Sequence, residues 1–484
     1  MPRRPEATFP VRVASLRRVP SLGAVLGGLF ALWGFVVGVQ PLRDNSFLTH
    51  LATGRLILDH GIPTSDPYSF TAHGEPWVVQ SWLASLLYGV LDQVWGPGGI
   101  RLLTALLTAG IALLAWRLTR PAESILPRVA LVGIVAVMGV SGWTERPLLF
   151  GLIFAGLLYL AADGAFDARW ALPAMWVWVN VHGSFPMGLV LVGVLALGSR
   201  LDGQRTDTEL RVLRWAALGT LLGAVNPLGP RLLVFPVTML RHSAVLRQVR
   251  EWQPSDYSVL GDQLFLILLL GAVALLVRRP RWRTALPMVV FGGAALLSAR
   301  NISLATLVLL PGMALALRGL GSVASERRTR ATAVAAGAIA VLGLLVGASS
   351  VGGPHYNFRG YPVDTVDWME ARGMLGRDTH LVTRDYVGNY LEATRGTEFP
   401  VFIDDRYDMF PNAVSEDYFD LLRGDDWRQI LDRYDTDVVL WQDDEQLGQI
   451  LAASDDWGIV HREDEWLVFC PRPSADEEPA CPSS

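Results

Sequence analysis

Apolar residues fall in blocks along the first 351 positions, divided by short polar turns. The blocks run 22–40, 79–95, 98–117, 124–142, 147–163, 170–182, 185–199, 211–225, 261–277, 284–298, 301–318 and 331–351. Most have the length that carries a helix across a bilayer core, so the pattern predicts a polytopic α-helical membrane protein. Two polar stretches carry a weaker helical pattern. One predicts a helix at 45–59 lying at the membrane interface, ended by Gly61-Ile62-Pro63. The other, 242–258, predicts a second amphipathic helix.

Beyond residue 351 the pattern changes. Short apolar runs alternate with amphipathic ones, predicting helix 362–374, strand 379–384, helix 386–393 and strand 399–404. Helices over 414–434, strand 437–442, helix 446–454 and strands 457–463 and 465–471 follow. This alternation predicts a small soluble α/β domain with a mostly parallel sheet. The expected organisation is a basic N-terminus at 1–21, a transmembrane domain at 22–351 with a polar loop at 41–78, an α/β domain at 352–472 and a disordered acidic tail at 473–484.

Composition agrees with the blocks. Mean hydropathy is +0.32, and charged residues make up 18% of the chain, against about 25% in soluble domains. Charge also divides it. Residues 352–484 hold 29 Asp and Glu against 11 Arg, a net of −18, whereas residues 1–351 carry a net of +13. Every basic residue is Arg. Arg clusters at the N-terminus, 200–214, 278–283 and 318–330 fix the cytoplasmic side. The α/β domain then lies outside the cell (cytoplasmic or inner) membrane. That arrangement needs an odd number of crossings, so one of the twelve blocks does not cross or one is missed; about 11 to 13 crossings are expected. The break at Trp95-Gly96-Pro97-Gly98-Gly99 marks 79–117 as the place where two blocks make one crossing. The two cysteines, Cys470 and Cys481, define no disulfide framework, and no metal-ligand Cys or His spacing is present.

With this orientation, the functional-looking residues gather on the outer face. They occur in the loop 41–78 and in the turns 143–147, 180–184, 226–230, 242–258 and 299–301. Asp44 and Asp66 are the candidate catalytic carboxylates, since paired acids suit acid–base work on a sugar. Arg146 and Arg300 suit the phosphate of a lipid carrier, because a guanidinium matches phosphate as a fork. Asn180, His182 and Asn301 stand at breaks between apolar blocks, tolerated where a cavity is lined. His50 completes the substrate-binding candidates.

The loop also carries a resemblance. The run Asp44…His50-Leu51-Ala52-Thr53-Gly54…Gly61-Ile62-Pro63…Asp66-Pro67-Tyr68-Ser69-Phe70-Thr71…Pro76-Trp77…Trp82 resembles the first outer loop of a group of bacterial polytopic proteins. That group is placed with the GT-C glycosyltransferases, relatives of protein mannosyltransferases and lipid A aminoarabinose transferases. Arg146-Pro147, Asn180-Val181-His182-Gly183, Asn226-Pro227, Glu251-Trp252-Gln253-Pro254, Arg300-Asn301 and Phe402-Ile403-Asp404-Asp405-Arg406 are similar to the same group.

The resemblance implies a GT-C fold and a polyprenyl-phosphate-linked sugar donor, with Asp44 as base or metal ligand. The acceptor would be a glycan, lipid or protein, and membrane lipid a partner; no nucleic acid is expected. A divalent cation, Mg or Mn, is the one cofactor implied, and Asp44 its ligand. Members of the group often have a second acid two residues after the first. Here that position is Ser46, which favours a metal-independent mechanism. The competing functions are an envelope-assembly scaffold that retains the fold, and a transporter or polymerase of lipid-linked glycans. A transporter calls for charges deep within spans and internal repeats, and neither is evident.

Overall fold

The computed structural model describes residues 19–321 and 326–472. The stretch 1–18, the expected acidic tail 473–484 and Cys481 lie outside the described residues.

All twelve apolar blocks form helix. The first part of the chain builds α1 (Leu22–Gly38), α2 (Asn45–His60), α3 (Trp82–Trp95), α4 (Pro97–Leu118), α5 (Ile125–Gly142) and α6 (Leu148–Ala162). It continues with α7 (Ala171–Val181), α8 (Pro186–Leu201), α9 (Asp207–Leu222), α10 (Arg231–Thr238) and α11 (Ser243–Leu246). Next come α12 (Leu260–Leu276), α13 (Trp282–Pro287), α14 (Gly293–Leu297), α15 (Ile302–Ala316) and α16 (Arg330–Val351). Among the described residues, four helical stretches are long and apolar enough to cross a membrane: Pro97–Ala122, Ile125–Gly142, Ala299–Ala316 and Arg330–Val351. Five shorter apolar helices accompany them.

Hydrogen bonds show which helix ends share a face. Arg101, buried near the start of α4, donates to Val39 O at 2.7 and 2.9 Å, just past the end of α1. It also donates to Ser350 O at 2.8 Å, near the end of α16. The start of α4 therefore lies on the face where α1 and α16 end, which is the face that carries the tail. Helix α3 starts on that face too, since its Ser85 Oγ lies 3.1 Å from His50 of α2, whose first residue Asn45 accepts from Asn389 of the tail at 3.4 Å. The block 79–95 thus returns to the side it left and packs along α2. The two helices touch by backbone: a Cβ on Gly54 would lie 2.0 Å from Ser85 O.

The tail adds α17 (Val363–Ala371), β1 (Leu381–Val382), α18 (Asp385–Arg395), α19 (Asn412–Arg423), α20 (Trp427–Arg433), β2 (Val438–Gln442), α21 (Gln446–Ala452), β3 (Trp457–Glu463) and β4 (Trp466–Pro471). The sheet order is β1-β2-β4-β3. Strand β1 pairs with β2 in parallel, while β2–β4 and β3–β4 are antiparallel. The expected mostly parallel sheet is therefore mixed. Only Asp464 and Glu465 separate β3 from β4, and a connection that short can join only antiparallel strands. The expected strand 399–404 reduces to bridges at Val401, parallel to Leu381 on one side and to Ser69 on the other. Residues of the polar loop 41–78 thus extend the tail's sheet.

Helix α2 forms where the sequence places it, but it packs between α3 and α18 and buries Phe47, Leu48, Leu51, Ala52 and Ile57. The expected amphipathic helix at 242–258 is broken. Only α11 and short 3-10 turns at Met239–His242 and Arg250–Trp252 form there, and the chain is extended at Gln253 just before Pro254.

Candidate active site

Asp44 is the N-cap of α2. Its Oδ1 accepts from Phe47 N–H at 3.3 Å, as a capping carboxylate does. Its Oδ2 accepts from Arg146 Nε at 2.6 Å and from the Thr144 hydroxyl at 2.7 Å. The side chain is nearly covered, at 6% exposure. Beside it, the Glu145 carboxylate accepts from the backbone N–H groups of Arg43 and Asp44, the latter at 2.7 Å. Burial, then the nearby Asp44, push the Glu145 carboxyl up.

Arg146 also donates to Glu251, making a chain Asp44–Arg146–Glu251. Burial works against the Arg146 charge, but the two carboxylates outweigh it and raise its pKa. The segment after Glu251 is tied to the turn that holds Arg300. Ser298 Oγ donates to Glu251 O at 3.1 Å, and Ala299 N–H donates to Gln253 O at 3.0 Å. The Arg300 guanidinium stacks 4.0 Å above the Trp252 ring. Glu251, Arg146 and Asp408 are the charged groups that act on it. His182, at the break after α7, is hydrogen-bonded to Ser184 Oγ at 2.7 Å and lies in the field of Arg300, His50 and Arg146. His50 faces Ser85 Oγ at 3.1 Å. Burial lowers its pKa to about 4, with Asp44 opposing and Arg146 assisting, so it is neutral at physiological pH.

The structure thus brings Asp44, His50, Arg146, His182 and Arg300 into one neighbourhood. Three sequence candidates stand apart from it. Asp66 is fully buried in a cluster of its own, accepting from Ser69 Oγ at 2.6 Å and from Arg406 at 2.7 Å. Asn180 is an internal strut between α3 and α7. Asn301 donates to Ala294 O at 3.2 Å and ties α14 to the start of α15.

Several neighbours were not among the sequence candidates. Asp405 lies in the field of Arg146, and burial pushes its carboxyl up to about 7, with Ser46 working against the rise. Tyr361 lies in the field of both Asp44 and Asp405, and burial raises its pKa. It belongs to an aromatic wall with Phe358, Tyr386 and Tyr390, ring centroids 5.1 to 5.6 Å apart. Glu145 and Glu251 flank Arg146 and Trp252 in turns the sequence singled out, so their position was the available signal. Asp405 stood out only within the motif Phe402-Ile403-Asp404-Asp405-Arg406, and nothing in the sequence tied it to Ser46, almost 360 residues away.

A divalent cation does not fit these side chains. Both Asp44 oxygens are engaged by protein donors, and position 46 is Ser. Among the described residues, no group of three or more His, Cys, Asp or Glu is placed to hold a metal. An open apolar groove of about 440 Å³ lies between α6 and α7, lined by Phe154, Leu158, Phe166, Trp170, Ala174 and Val177.

No family model and no curated protein matches the chain. Solved structures do. The oligosaccharyltransferase AglB from Archaeoglobus fulgidus, in complex with an inhibitory peptide and a dolichol-phosphate, matches with a TM-score of 0.51 at 12% identity. That match covers 86% of this chain and 69% of AglB. Arabinofuranosyltransferase AftD from mycobacteria matches with a TM-score of 0.51 at 13% identity, over 93% of this chain and 40% of AftD. Both are GT-C glycosyltransferases. The chain has a GT-C fold. At these identities the likeness speaks for architecture, and a GT-C architecture with long apolar helices is that of a membrane protein.

Proposed function

We propose that the chain is a membrane glycosyltransferase that moves a sugar from a polyprenyl-phosphate-linked donor to an acceptor on the extracytoplasmic face. The observation that carries this reading is the convergence of Asp44, Arg146 and Arg300 on the tail side of a GT-C fold. Arg146 is held rigid by two carboxylates, while Arg300 is stacked on Trp252 with its fork left for a ligand. Together they form a clamp for the leaving phosphate, whose developing charge a preorganised guanidinium stabilises.

The groove between α6 and α7 suits the carrier's hydrocarbon chain. Its rim at Phe154 lies two turns into α6, about 9 Å from that helix's tail-side end. Tyr361 and its neighbours give a face on which a sugar ring can stack. Direct displacement of the phosphate by the acceptor hydroxyl would invert the anomeric carbon.

The test is binding of a polyprenyl monophosphate to the purified full-length protein. Arg300→Ala is expected to weaken binding about 10- to 100-fold, the worth of one or two charge-assisted hydrogen bonds. Binding by Arg300→Ala equal to wild type would remove the clamp from the proposal.

A further inference from the structure

The tail delivers to the site a carboxylate that the loop 41–78 lacks at position 46. Asp405 N–H donates to Asn389 Oδ1 at 3.2 Å, and the Thr49 hydroxyl on α2 donates to the same oxygen at 2.8 Å. Asn389 is fully buried, so it fixes the Asp405 backbone against α2. The next residue, Arg406, is bonded to Asp404 and to Asp66 of the loop. These two anchors bring Asp405 beside the first turn of α2, where Asn389 also donates to Asn45 O at 3.4 Å and where Ser46 stands two residues past Asp44.

The two carboxylates differ in the lone pairs left to them. Asp44 is nearly covered, and its oxygens accept from Phe47, Thr144 and Arg146. An acceptor hydroxyl would have to displace one of those donors. Asp405 is half-buried and makes no ion pair among the described residues. Arg146 stands between them, bonded to Asp44 and in the field of Asp405.

We propose that Asp405 is the proton acceptor of the transfer step, and that Asp44 is the positioning anion that holds Arg146 against the donor phosphate. The proposal rests on the glycosyl-transfer reading above. In the step, the acceptor oxygen bonds to the anomeric carbon and the carbon–oxygen bond to phosphate breaks. The bonding pair leaves with the phosphate at Arg146 and Arg300, and the hydroxyl proton passes to Asp405.

The surroundings of Asp405 tune it for this work. Burial raises its pKa to about 7; Ser46 and Arg146 work against the rise, and Asp404 and Asp385 add to it. The phenols of Tyr361 and Tyr407 face it as well. A base near neutrality combines a useful unprotonated fraction with real proton affinity. Since the unprotonated form is the active one, transfer should rise as pH rises through about 7.

The experiment uses membranes of a deletion strain that supplies donor and acceptor and expresses the full chain. Product glycan is followed by mass spectrometry from acid to alkaline pH, and polyprenyl monophosphate binding is measured on the purified proteins. Asp405→Asn should lower the rate by about 100-fold or more while keeping polyprenyl monophosphate binding within about twofold. Ser46→Ala should stay active and shift the pH midpoint upward, because the hydroxyl that stabilises the carboxylate is gone. Three results would overturn the proposal: an Asp405→Asn rate within about threefold of wild type, loss of lipid-phosphate binding in Asp405→Asn, or an unchanged pH profile in Ser46→Ala. Wild-type membranes that make no more product than the deletion strain would instead sink the glycosyl-transfer reading, and this inference with it.

Discussion

Arg406 is the residue that holds the tail to the polar loop. Its guanidinium is bonded to Asp404 at 2.5 Å and Asp66 at 2.7 Å, with Glu392 at 3.7 Å, and it lies 4.3 Å above the Trp77 ring. Three acids around one cation would leave excess negative charge in a buried place. Burial, followed by the neighbouring Asp404, pushes the Glu392 carboxyl well above the usual carboxylate range, which relieves that excess. Removing the cation strands Asp66 and Asp404 without a counter-charge. Arg406→Ala should therefore destabilise the docked tail by about 3–5 kcal/mol. Thermal unfolding in detergent, with limited proteolysis of the tail, measures this; a loss below about 1 kcal/mol would show that the cluster does not hold the tail. The same geometry explains why Asp66 looked catalytic from sequence. An acid in a Pro-Tyr-Ser turn of a functional loop fits either role, and only its distant partner Arg406 tells them apart.

At the scale of elements, the hydrophobic pattern was a good guide to helices and a poorer one to their surroundings. The blocks 98–117, 124–142 and 331–351 read as bilayer-length helices and form as such, because length and continuous apolarity report on the helix itself. The block 79–95 reads the same way yet packs along α2, since an apolar face does not say whether lipid or protein covers it. The glycine pair Gly54 and Gly89, where α2 and α3 touch by backbone, was the sequence's one trace of that packing. The geometry places Gly98, in the first turn of α4, on the tail side, with open space around a Cβ. A cysteine there should be labelled in intact cells by a membrane-impermeant thiol reagent, above the signal of the wild-type protein. Labelling only after the cells are opened would put α3 across the membrane and restore the crossing the sequence pattern suggested.

For the whole molecule, the separation into a basic bundle and an acidic tail, clear in the charge pattern, hides how closely the two are joined. Leu42 pairs with Tyr356, Ser69 with Val401 and Thr49 with Asn389, so the polar loop is shared between them. The gathering of Asp44, Arg146, His182 and Arg300 on one face was legible, because the positive-inside rule sorts turns by side without knowing which turns touch. The place of Asp405 was not, because it depends on the docking of the tail. The tail in turn brings Asp405 and the aromatic wall at Tyr361 into the field of Asp44 and Arg146, so in the proposed reading the bundle and the tail together, not the loop alone, make the site. The central claim is glycosyl transfer at Asp44–Arg146. Its most direct test is mass spectrometry of envelope glycans and glycoproteins from a deletion strain complemented with wild type or with Asp44→Ala. The expected result is a glycan or glycoprotein species lost on deletion, restored by wild type and absent with Asp44→Ala. Full restoration by Asp44→Ala would contradict the account.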